Sequence, residues 1–212
     1  MKENIPHNHV IEQVPVDYYQ KGVKNNFFQK FWHIKKLTIV GSLIPFTPRK
    51  ILDVGCASGW FLSNIAKKYP KAKCFGIDIY KEAVLYGKKR YPKMSFRQAD
   101  GHRIPFANNS FDLVICTEVL EHVENPNQML LEIKRVLSEK GVAIIELDSA
   151  SILFTTVWFL WTKIHGKVWK HAHLHSFNPK KLERLLKNSG FEIKRKQTFT
   201  WGMAMVFLVE KK

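Results

Sequence analysis

The sequence predicts an α/β protein built on a doubly wound, mostly parallel sheet. An apolar run, a tight turn with two glycines and an amphipathic segment follow one another at residues 50–61. Further apolar runs recur at intervals of about 25 to 30 residues, the length of a strand–helix–strand unit. An acidic residue or a glycine ends each of four runs, and parallel sheets collect their ligand sites at these strand ends.

The first strand is predicted over residues 50–54, and it ends at Gly55. Small residues continue to Gly59, where a helix begins, so that bare backbone and unpaired N–H groups face the same space. This pattern favours a nucleotide-like cofactor, although small residues also let a helix pack closely on a strand without a ligand. No Gly-Lys-Ser/Thr follows, and Ala57 separates the glycines, so the turn is neither a phosphate loop nor G-x-G-x-x-G.

Acidic residues end the second and third strands. The second is predicted over residues 73–78, and Asp78 can accept hydrogen bonds from both hydroxyls of a ribose. The alternative is that Asp78 caps the following helix. The third is predicted over residues 94–99, where Asp100 could accept a hydrogen bond from an adenine amino group or could be an ordinary turn acid before Gly101.

The fourth strand is predicted over residues 110–116, and it leads into Thr117, Glu118, Glu121 and His122. Each strand end is ambiguous alone. Four successive ends of this kind indicate a nucleoside-type cofactor at the carboxyl edge of the sheet.

These segments resemble the class I S-adenosylmethionine-dependent methyltransferases, and most closely the branch that methylates small molecules, quinone precursors, lipids and sugars. The matching segments are residues 51–61, 76–80, 98–106, 111–123 and 135–147, which lie within about half of the chain. The resemblance implies a seven-stranded Rossmann-like sheet whose last strand is antiparallel. It also implies S-adenosylmethionine as the cofactor and S-adenosylhomocysteine as its product.

The same resemblance assigns the cofactor contacts. It implies that the glycine-rich loop holds the methionine part, that Asp78 holds the ribose, that Asp100 and Gly101 contact the adenine, and that residues 116–118 lie beside the sulfonium. Ala57 stands where many members have glycine, and we expect its one extra methyl to be tolerated. The predicted cofactor-binding residues are Asp53, Gly55, Cys56, Ala57, Gly59, Asp78, Ile79, Asp100, Gly101, Thr117 and Glu118.

Two histidines are candidates for the general base that a hydroxyl acceptor needs, His122 and His175, and Glu121 is a weaker one. The resemblance favours His175, because a histidine and an aromatic residue often precede the last crossover helix in this branch. A structural role for Glu121 and His122 is the alternative. In a strand, His171, His173 and His175 would share a face, but no carboxylate lies near them in sequence, and we expect no metal site.

The segments outside the core are aromatic and basic. Residues 18–43 have the periodicity of one or two amphipathic helices, and residues 126–137 and 178–188 that of two more. Residues 151–176 replace an ordinary crossover with aromatic residues and lysines. This segment fits a lid over the acceptor, a membrane contact, or core or subunit packing.

The net charge of +16 is unevenly placed. Residues 51–150 hold 14 Lys and Arg against 12 Asp and Glu, whereas residues 1–50 hold 8 against 3 and residues 151–212 hold 12 against 3. Basic flanks suggest an acidic acceptor, an anionic membrane surface or, less strongly, nucleic acid. Lysines that serve solubility are the plain alternative.

The length of 212 residues suits one domain. We expect an N-terminal helical cap (1–48), a cofactor-binding core (49–148), a lid insertion (151–176), and a C-terminal helix and hairpin (177–212). Three cysteines without a C-x-x-C spacing, together with a polar N-terminus, favour a cytoplasmic protein, peripheral at the membrane if it meets one.

The sequence thus predicts a methyltransferase that acts on an oxygen or carbon atom of a small or lipid-linked acceptor. The alternatives are an RNA methyltransferase and a non-catalytic cofactor-binding protein. Neither a Pro-Pro-aromatic tetrapeptide after the fourth strand nor a Pro-Cys pair is present, which weakens two nucleic-acid classes. The oligomeric state is not indicated.

Overall fold

A seven-stranded sheet organises the computed structural model, which describes residues 13–164, 169 and 172–212. The strands are β1 (Lys50–Val54), β2 (Lys73–Asp78), β3 (Ser95–Gln98), β4 (Phe111–Thr117), β5 (Leu137–Asp148), β6 (Phe191–Phe199) and β7 (Ala204–Lys211). The helices are α1 (Tyr18–Asn25), α2 (Phe27–Leu43), α3 (Trp60–Lys68), α4 (Lys81–Arg90), α5 (Pro126–Val136), α6 (Ile152–Ile164) and α7 (Pro179–Asn188).

The strands lie in the order β3-β2-β1-β4-β5-β7-β6. β1 to β5 pair in parallel, and β7 runs antiparallel to both β5 and β6. This confirms the predicted doubly wound fold with its antiparallel last strand. The order reverses between β1 and β4, and a sheet of this kind opens a crevice at that point, outside the carboxyl ends of its strands.

Helices cover both faces of the sheet. Leu130 of α5 and Leu182 of α7 belong to the buried cluster on one face. Val40 of α2, Leu62 of α3 and Val84 of α4 belong to the cluster on the other. Because the central strands are buried on both faces, their sequences read as continuous apolar runs rather than as alternating ones.

Three of the helices begin at an asparagine whose side chain caps the first turn. The side chains of Asn26, Asn125 and Asn178 accept backbone N–H groups at the starts of α2, α5 and α7, and proline follows two of them. β5 begins at Leu137, because Leu137 already pairs with Phe111 before a shift of register. The predicted bounds of β3 and β4 differ from the structure by one residue at each end.

The segment after β5 leaves the sheet as α6 and returns through Trp169 and residues 172–177. α1 and α2 fall within the predicted cap and α6 within the predicted insertion, whose exact boundaries stay predictions. Among the described residues, no helix is both long and apolar enough to cross a bilayer.

Candidate active site

A cavity of about 630 Å³ opens at the carboxyl ends of the parallel strands. We call one part of it the loop end, lined by Gly55, Ala57, Asp78, Ile79, Asp100, Gly101 and Glu118. We call the other the aromatic end, lined by Tyr18, Tyr19, Glu121, His122, Asp148, Phe154, Trp158, Trp161, Trp169 and His173. The two ends form one continuous space.

The loop end begins with a backbone that requires small residues. Gly55 and Gly59 have φ of 76° and 79°, which glycine adopts without strain. A Cβ atom on Gly55 would lie 2.2 Å from a methyl of Val119, and one on Gly59 would lie 2.4 Å from the ring of Phe96. Ala57 also has a positive φ, 46°. The loop therefore follows one fixed path past the cavity.

Asp78 fastens this loop. Its Oδ2 accepts the N–H of Ala57 at 2.7 Å, and its Oδ1 accepts the N–H of Tyr80 at 2.9 Å. Burial raises the pKa of Asp78, and these N–H groups oppose the rise. Tyr80, not Asp78, is the N-cap of α4, so the capping alternative does not describe this carboxylate. Each oxygen keeps a lone pair that can accept a further hydrogen bond.

Asp100 and Gly101 form the next part of the wall. Asp100 accepts the backbone N–H of His102 at 2.8 Å, and its carboxylate lies 2.7 Å from Nδ1 of the same imidazole. A Cβ atom on Gly101 would lie 2.2 Å from Met129. His102 also lines the cavity and was not predicted, although its position directly after Asp100-Gly101 is a local signal.

Four predicted residues do not reach the cavity wall: Asp53, Cys56, Gly59 and Thr117. Asp53 is buried in β1, and burial together with Asp78 raises its pKa to about 7. Gly59 caps α3, and Thr117 ends β4. These four residues lie in the loop and at the strand tips, behind the cavity wall, and their contact with a cofactor stays a prediction.

Glu118 joins the N-terminal helices to the sheet. Its carboxylate accepts hydrogen bonds from Nε1 of Trp32 at 2.8 Å and from Nζ of Lys36 at 2.8 Å. Burial alone would raise the pKa of Glu118, but Lys36, His33 and Trp32 lower it to about 2. Nζ of Lys36 also lies 3.9 Å from Glu146.

Sequence reasoning missed Lys36, although a signal was present. His33, Lys36, Val40 and Leu43 are the buried residues of α2, and their spacing of three and four places them on one face. A lysine on the apolar face of a helix points to a buried partner. That partner is the acidic cluster at the tips of β4 and β5.

His122 lies on the cavity wall at the aromatic end. Its Nδ1 is 2.8 Å from the carbonyl oxygen of Ala172, and its ring lies 4.9 Å from that of His173. The ring of His173 stacks on Trp158 at 5.0 Å with an interplanar angle of 12°. His173 therefore belongs to the site, although it was not among the predicted catalytic residues.

His175 does not reach the cavity wall. Its Nε2 lies 3.3 Å from the carbonyl oxygen of Glu124, and its ring lies beside Phe177. His173 and His175 do not lie in a strand, so the alternation considered for the three histidines does not place these two on one face. The structure gives no support to His175 as the base. His171 lies outside the described residues.

Buried carboxylates set the electrostatics of the aromatic end. Burial raises the pKa of Glu121 to about 8, against the opposing effect of nearby backbone N–H groups. Burial also raises the pKa values of Glu146 and Asp148, and the other carboxylates of the cluster raise them further. This end of the cavity is thus apolar in its walls and acidic at its base.

Comparisons with known proteins identify the family to which this site belongs. Residues 52–145 match the family model described as a methyltransferase domain. A ubiquinone biosynthesis O-methyltransferase of Rickettsia canadensis is 31% identical over 165 residues, which cover 73% of this chain and 67% of that protein. The chain belongs to the class I S-adenosylmethionine-dependent methyltransferases.

Two further comparisons bear on this methyltransferase. A malonyl-[acyl-carrier protein] O-methyltransferase of Legionella pneumophila is 27% identical over 165 residues, 74% of this chain, but the match spans only about half of that relative, 51%. A solved S-adenosylmethionine-dependent methyltransferase of Thermotoga maritima superposes with a TM-score of 0.76 at 21% identity, covering 96% of this chain and 99% of that one. The superposition shows the same fold.

The family implies S-adenosylmethionine as the methyl donor, and the loop end fits this molecule. Gly55 and Gly101 line the cavity at positions where Val119 and Met129 leave no room for a side chain, so their bare backbone forms the wall, and Asp78 offers two acceptor oxygens. A diol and an adenine amino group are the donors that such carboxylates recognise.

Proposed function

We propose that this methyltransferase moves a methyl group to an oxygen or carbon atom of a small or lipid-linked acceptor. The observation that carries the proposal is the continuous cavity, which joins the loop end to the aromatic end without an intervening wall. A donor held at one end and an acceptor held at the other can meet in line, and such alignment supplies much of the rate in transfer reactions.

In this proposal the loop end holds the cofactor. Asp78 accepts hydrogen bonds from the ribose hydroxyls, while Asp100 and Gly101 contact the adenine. The loop from Gly55 to Gly59 passes along the methionine part. The bound cofactor supplies a methyl group on a sulfonium, which is a good leaving group. The protein contributes position and the exclusion of water.

The walls of the aromatic end suit a flat, apolar acceptor. Phe154 stacks beside Trp158 with ring centroids 5.7 Å apart, and Trp161 lies 6.1 Å beyond it with rings inclined by 12°. The names of two relatives refer to malonyl-[acyl-carrier protein] and to ubiquinone biosynthesis. Because Glu121 and Asp148 lie at the base of this end, an acidic part of the acceptor would stay at the mouth.

His122 is our candidate for the base. Its Nδ1 is held by a carbonyl oxygen, which accepts only from an N–H, so Nδ1 carries the proton of the neutral ring. Nε2 then has the lone pair. A hydroxyl at the aromatic end could transfer its proton to this nitrogen as the oxygen takes the methyl group.

The test is methyl transfer from S-adenosylmethionine to a panel of phenols, quinols and lipid extracts, followed by mass spectrometry. We expect His122→Gln to lower kcat by about 100-fold or more, the usual contribution of a general base, with unchanged S-adenosylhomocysteine affinity. His175→Gln is the matched control and should leave kcat unchanged. Equal activity of His122→Gln and the wild type would exclude the base.

We also propose that the mouth of the cavity contacts an anionic membrane surface, from which a lipid-linked acceptor would enter. Phe28 and Trp201 line the cavity and are 74% and 78% exposed. Ile152 at the start of α6 is 88% exposed, and Lys163 lies 4.2 Å from the ring of Phe159. Exposed aromatic residues with neighbouring lysines are typical of interfacial helices.

Flotation with phosphatidylglycerol vesicles tests this contact. We expect the protein to float at low salt and to do so less at high salt. Phe28→Ser should reduce the floated fraction, whereas Leu131→Ser, an exposed leucine on α5, should not. A wild-type protein that stays at the bottom at low salt would show that these side chains serve the acceptor or a subunit contact.

A further inference from the structure

Three potential metal ligands meet at the aromatic end. Glu121, His122 and His173 each offer one ligand atom, and all of these atoms lie within 4.8 Å of one another. They come from two segments, the turn after β4 and the return after α6. The carbonyl oxygen of Glu121 accepts the N–H of Leu174 at 2.8 Å, so the backbone itself holds the two segments together.

The environment of the Glu121 carboxylate favours a bound cation. Its residue is 3% exposed, and neither carboxylate oxygen accepts a hydrogen bond of normal geometry from a described residue. The same residue lines the cavity. A buried carboxylate without a partner costs free energy that a bound cation would recover.

The surrounding charges also favour a cation. Glu118, Glu146 and Asp148 lie in the same cluster, and Lys36 contacts the first two. Asp148 is not matched in this way: its Oδ1 has no hydrogen-bond partner among the described residues, and its Oδ2 lies 3.9 Å from Nε2 of His173. The cluster therefore holds more carboxylates than Lys36 alone can neutralise.

The two imidazoles are already oriented. The carbonyl oxygen of Ala172 lies 2.8 Å from Nδ1 of His122, and Trp158 stacks on His173. Metal-binding histidines almost always donate their other N–H to a carbonyl or carboxylate oxygen, which fixes the tautomer and the ring plane. His122 shows this arrangement, with Nε2 as the nitrogen that carries the lone pair.

We propose that Glu121, His122 and His173 bind a divalent transition-metal ion, with Asp148 beside them as a fourth ligand and second carboxylate. Two imidazoles with one or two carboxylates suit Zn²⁺, Co²⁺, Mn²⁺ or Fe²⁺ better than Mg²⁺ or Ca²⁺. The sequence predicted no metal because no carboxylate lies near the histidines along the chain. The fold brings Glu121 and Asp148 to them from the tips of β4 and β5.

Its use in catalysis rests on the proposed methyl transfer. A hydroxyl bound to the ion would lose its proton to water at a lower pKa, and the resulting oxygen would take the methyl group as the bond from that methyl to sulfur breaks. With the ion bound, His122 would be a ligand and not the base proposed above. The ion would then lower the pKa of the hydroxyl, and water would take the proton.

The test is metal binding in the absence of acceptor. Protein without a histidine tag is stripped with chelator, titrated with Zn²⁺ by calorimetry and with Co²⁺ by visible absorption. We expect one ion per chain. Glu121→Gln and His173→Gln should each weaken binding by about 100-fold or more, since losing even a supporting residue typically costs 10- to 100-fold. His175→Gln, two residues from His173, should bind like the wild type.

S-Adenosylhomocysteine affinity is measured on every sample, and it separates the two proposals. Wild-type protein that binds S-adenosylhomocysteine but shows no saturable binding of either ion would overturn the metal site and leave the methyl transfer standing. The same holds if Glu121→Gln and His173→Gln bind the ion as tightly as His175→Gln does. Failure of the wild type to bind S-adenosylhomocysteine would instead contradict the proposed function.

Discussion

The loop end and the aromatic end of the cavity are built by different means. The loop end is mostly backbone, and both oxygens of Asp78 already accept N–H groups. The aromatic end is made of side chains from distant elements, and its base holds carboxylate oxygens that have no hydrogen-bond partner among the described residues, as at Glu121. A satisfied site suits a cofactor that a whole family shares. An unsatisfied one is completed by what is particular to this protein, its acceptor or an ion.

The largest effect is expected at Lys36, which joins the N-terminal helices to the carboxylates at the tips of β4 and β5. Lys36→Met removes the cation that contacts the carboxylates of Glu118 and Glu146. Removing one partner of a buried ion pair leaves an uncompensated charge, and we expect the free energy of unfolding to fall by about 3 to 5 kcal/mol. Urea unfolding at neutral pH measures this change.

Lys35→Met is the control for Lys36→Met. Lys35 stands one residue away on α2 and is exposed, so its loss should change the unfolding free energy by no more than about 0.5 kcal/mol. Similar losses in the two variants would show that the buried charge cluster does not hold the N-terminal helices to the sheet.

Asp78→Ala tests the loop end in the same way. Two hydrogen bonds that the ribose hydroxyls donate to the carboxylate are lost, each worth about 1.5 kcal/mol or more, and we expect S-adenosylhomocysteine affinity to fall by about 100-fold or more. Calorimetry on the folded variant measures it.

Asp112→Ala is the matched control. Asp112 also accepts two backbone N–H groups, those of Arg49 and Lys50, but it lies at the amino end of β4, away from the cavity. The affinity of the Asp112→Ala variant for S-adenosylhomocysteine should match that of the wild type. An unchanged affinity in Asp78→Ala would remove this residue from the cofactor site.

The two ends also differ in how far the sequence predicted them. The loop end follows from local chemistry, because residues 55–59 and the acids at the strand tips occupy positions that any doubly wound sheet brings together. Asp78 and Gly101 therefore line the cavity as expected. Asp53 does not line the cavity, because it lies inside β1, where consecutive residues point to opposite faces. Thr117 does not line it either, although it is the last residue of β4, and its position in the sequence alone does not predict this.

The aromatic end depends on packing between residues far apart in sequence. Nδ1 of His122 lies 2.8 Å from the carbonyl oxygen of Ala172, which is 50 positions away. Nothing local distinguishes His173 from His175. The choice between them is made by the carbonyl oxygen of Glu121, which accepts N–H groups from Leu174 and His175 and so fixes the path of the segment. Sequence periodicity carries no information about that contact.

His33 offers a pH-dependent test of the acidic cluster. Burial lowers the pKa of His33 to about 4, Lys36 adds to this effect and Glu118 opposes it; the rings of Tyr19 and Trp60 complete its surroundings. The unfolded chain takes up this proton near pH 6.5, so the stability that His33 contributes is lost as pH falls from 6.5 toward 4.

His33→Gln should abolish this part of the pH dependence. The difference in unfolding free energy between the variant and the wild type should shift in favour of the variant by about 2 kcal/mol between pH 8 and pH 5. This value follows because 1.5 pH units separate 6.5 from 5, at about 1.36 kcal/mol each. Urea midpoints across this range measure it. A constant difference between the two proteins would mean that His33 is protonated in the folded state as readily as in the unfolded one.

Substitution of Trp201 should have the smallest effect on stability and a selective effect on acceptor binding at the mouth of the cavity. It is 78% exposed, stacks on Phe31 at 6.1 Å, and has a φ of 54°, a conformation that costs free energy in a bulky residue. Trp201→Gly should therefore leave the unfolding free energy unchanged or raise it by up to about 1 kcal/mol. The acceptor KM should rise several-fold, because the mouth loses its stacked pair, while S-adenosylhomocysteine affinity stays constant.

Asn109→Gly separates the backbone effect from the contact in Trp201→Gly. Asn109 has a φ of 57° in a turn outside the cavity lining. It should show at most a small change in stability, since asparagine tolerates this conformation, and no change in KM. If Trp201→Gly also leaves KM unchanged, the exposed tryptophan does not touch the acceptor, and its strained position must be explained by the membrane contact that flotation measures. If it raises KM without a loss of stability, the strain at this turn is retained for binding, and the aromatic end extends to its mouth.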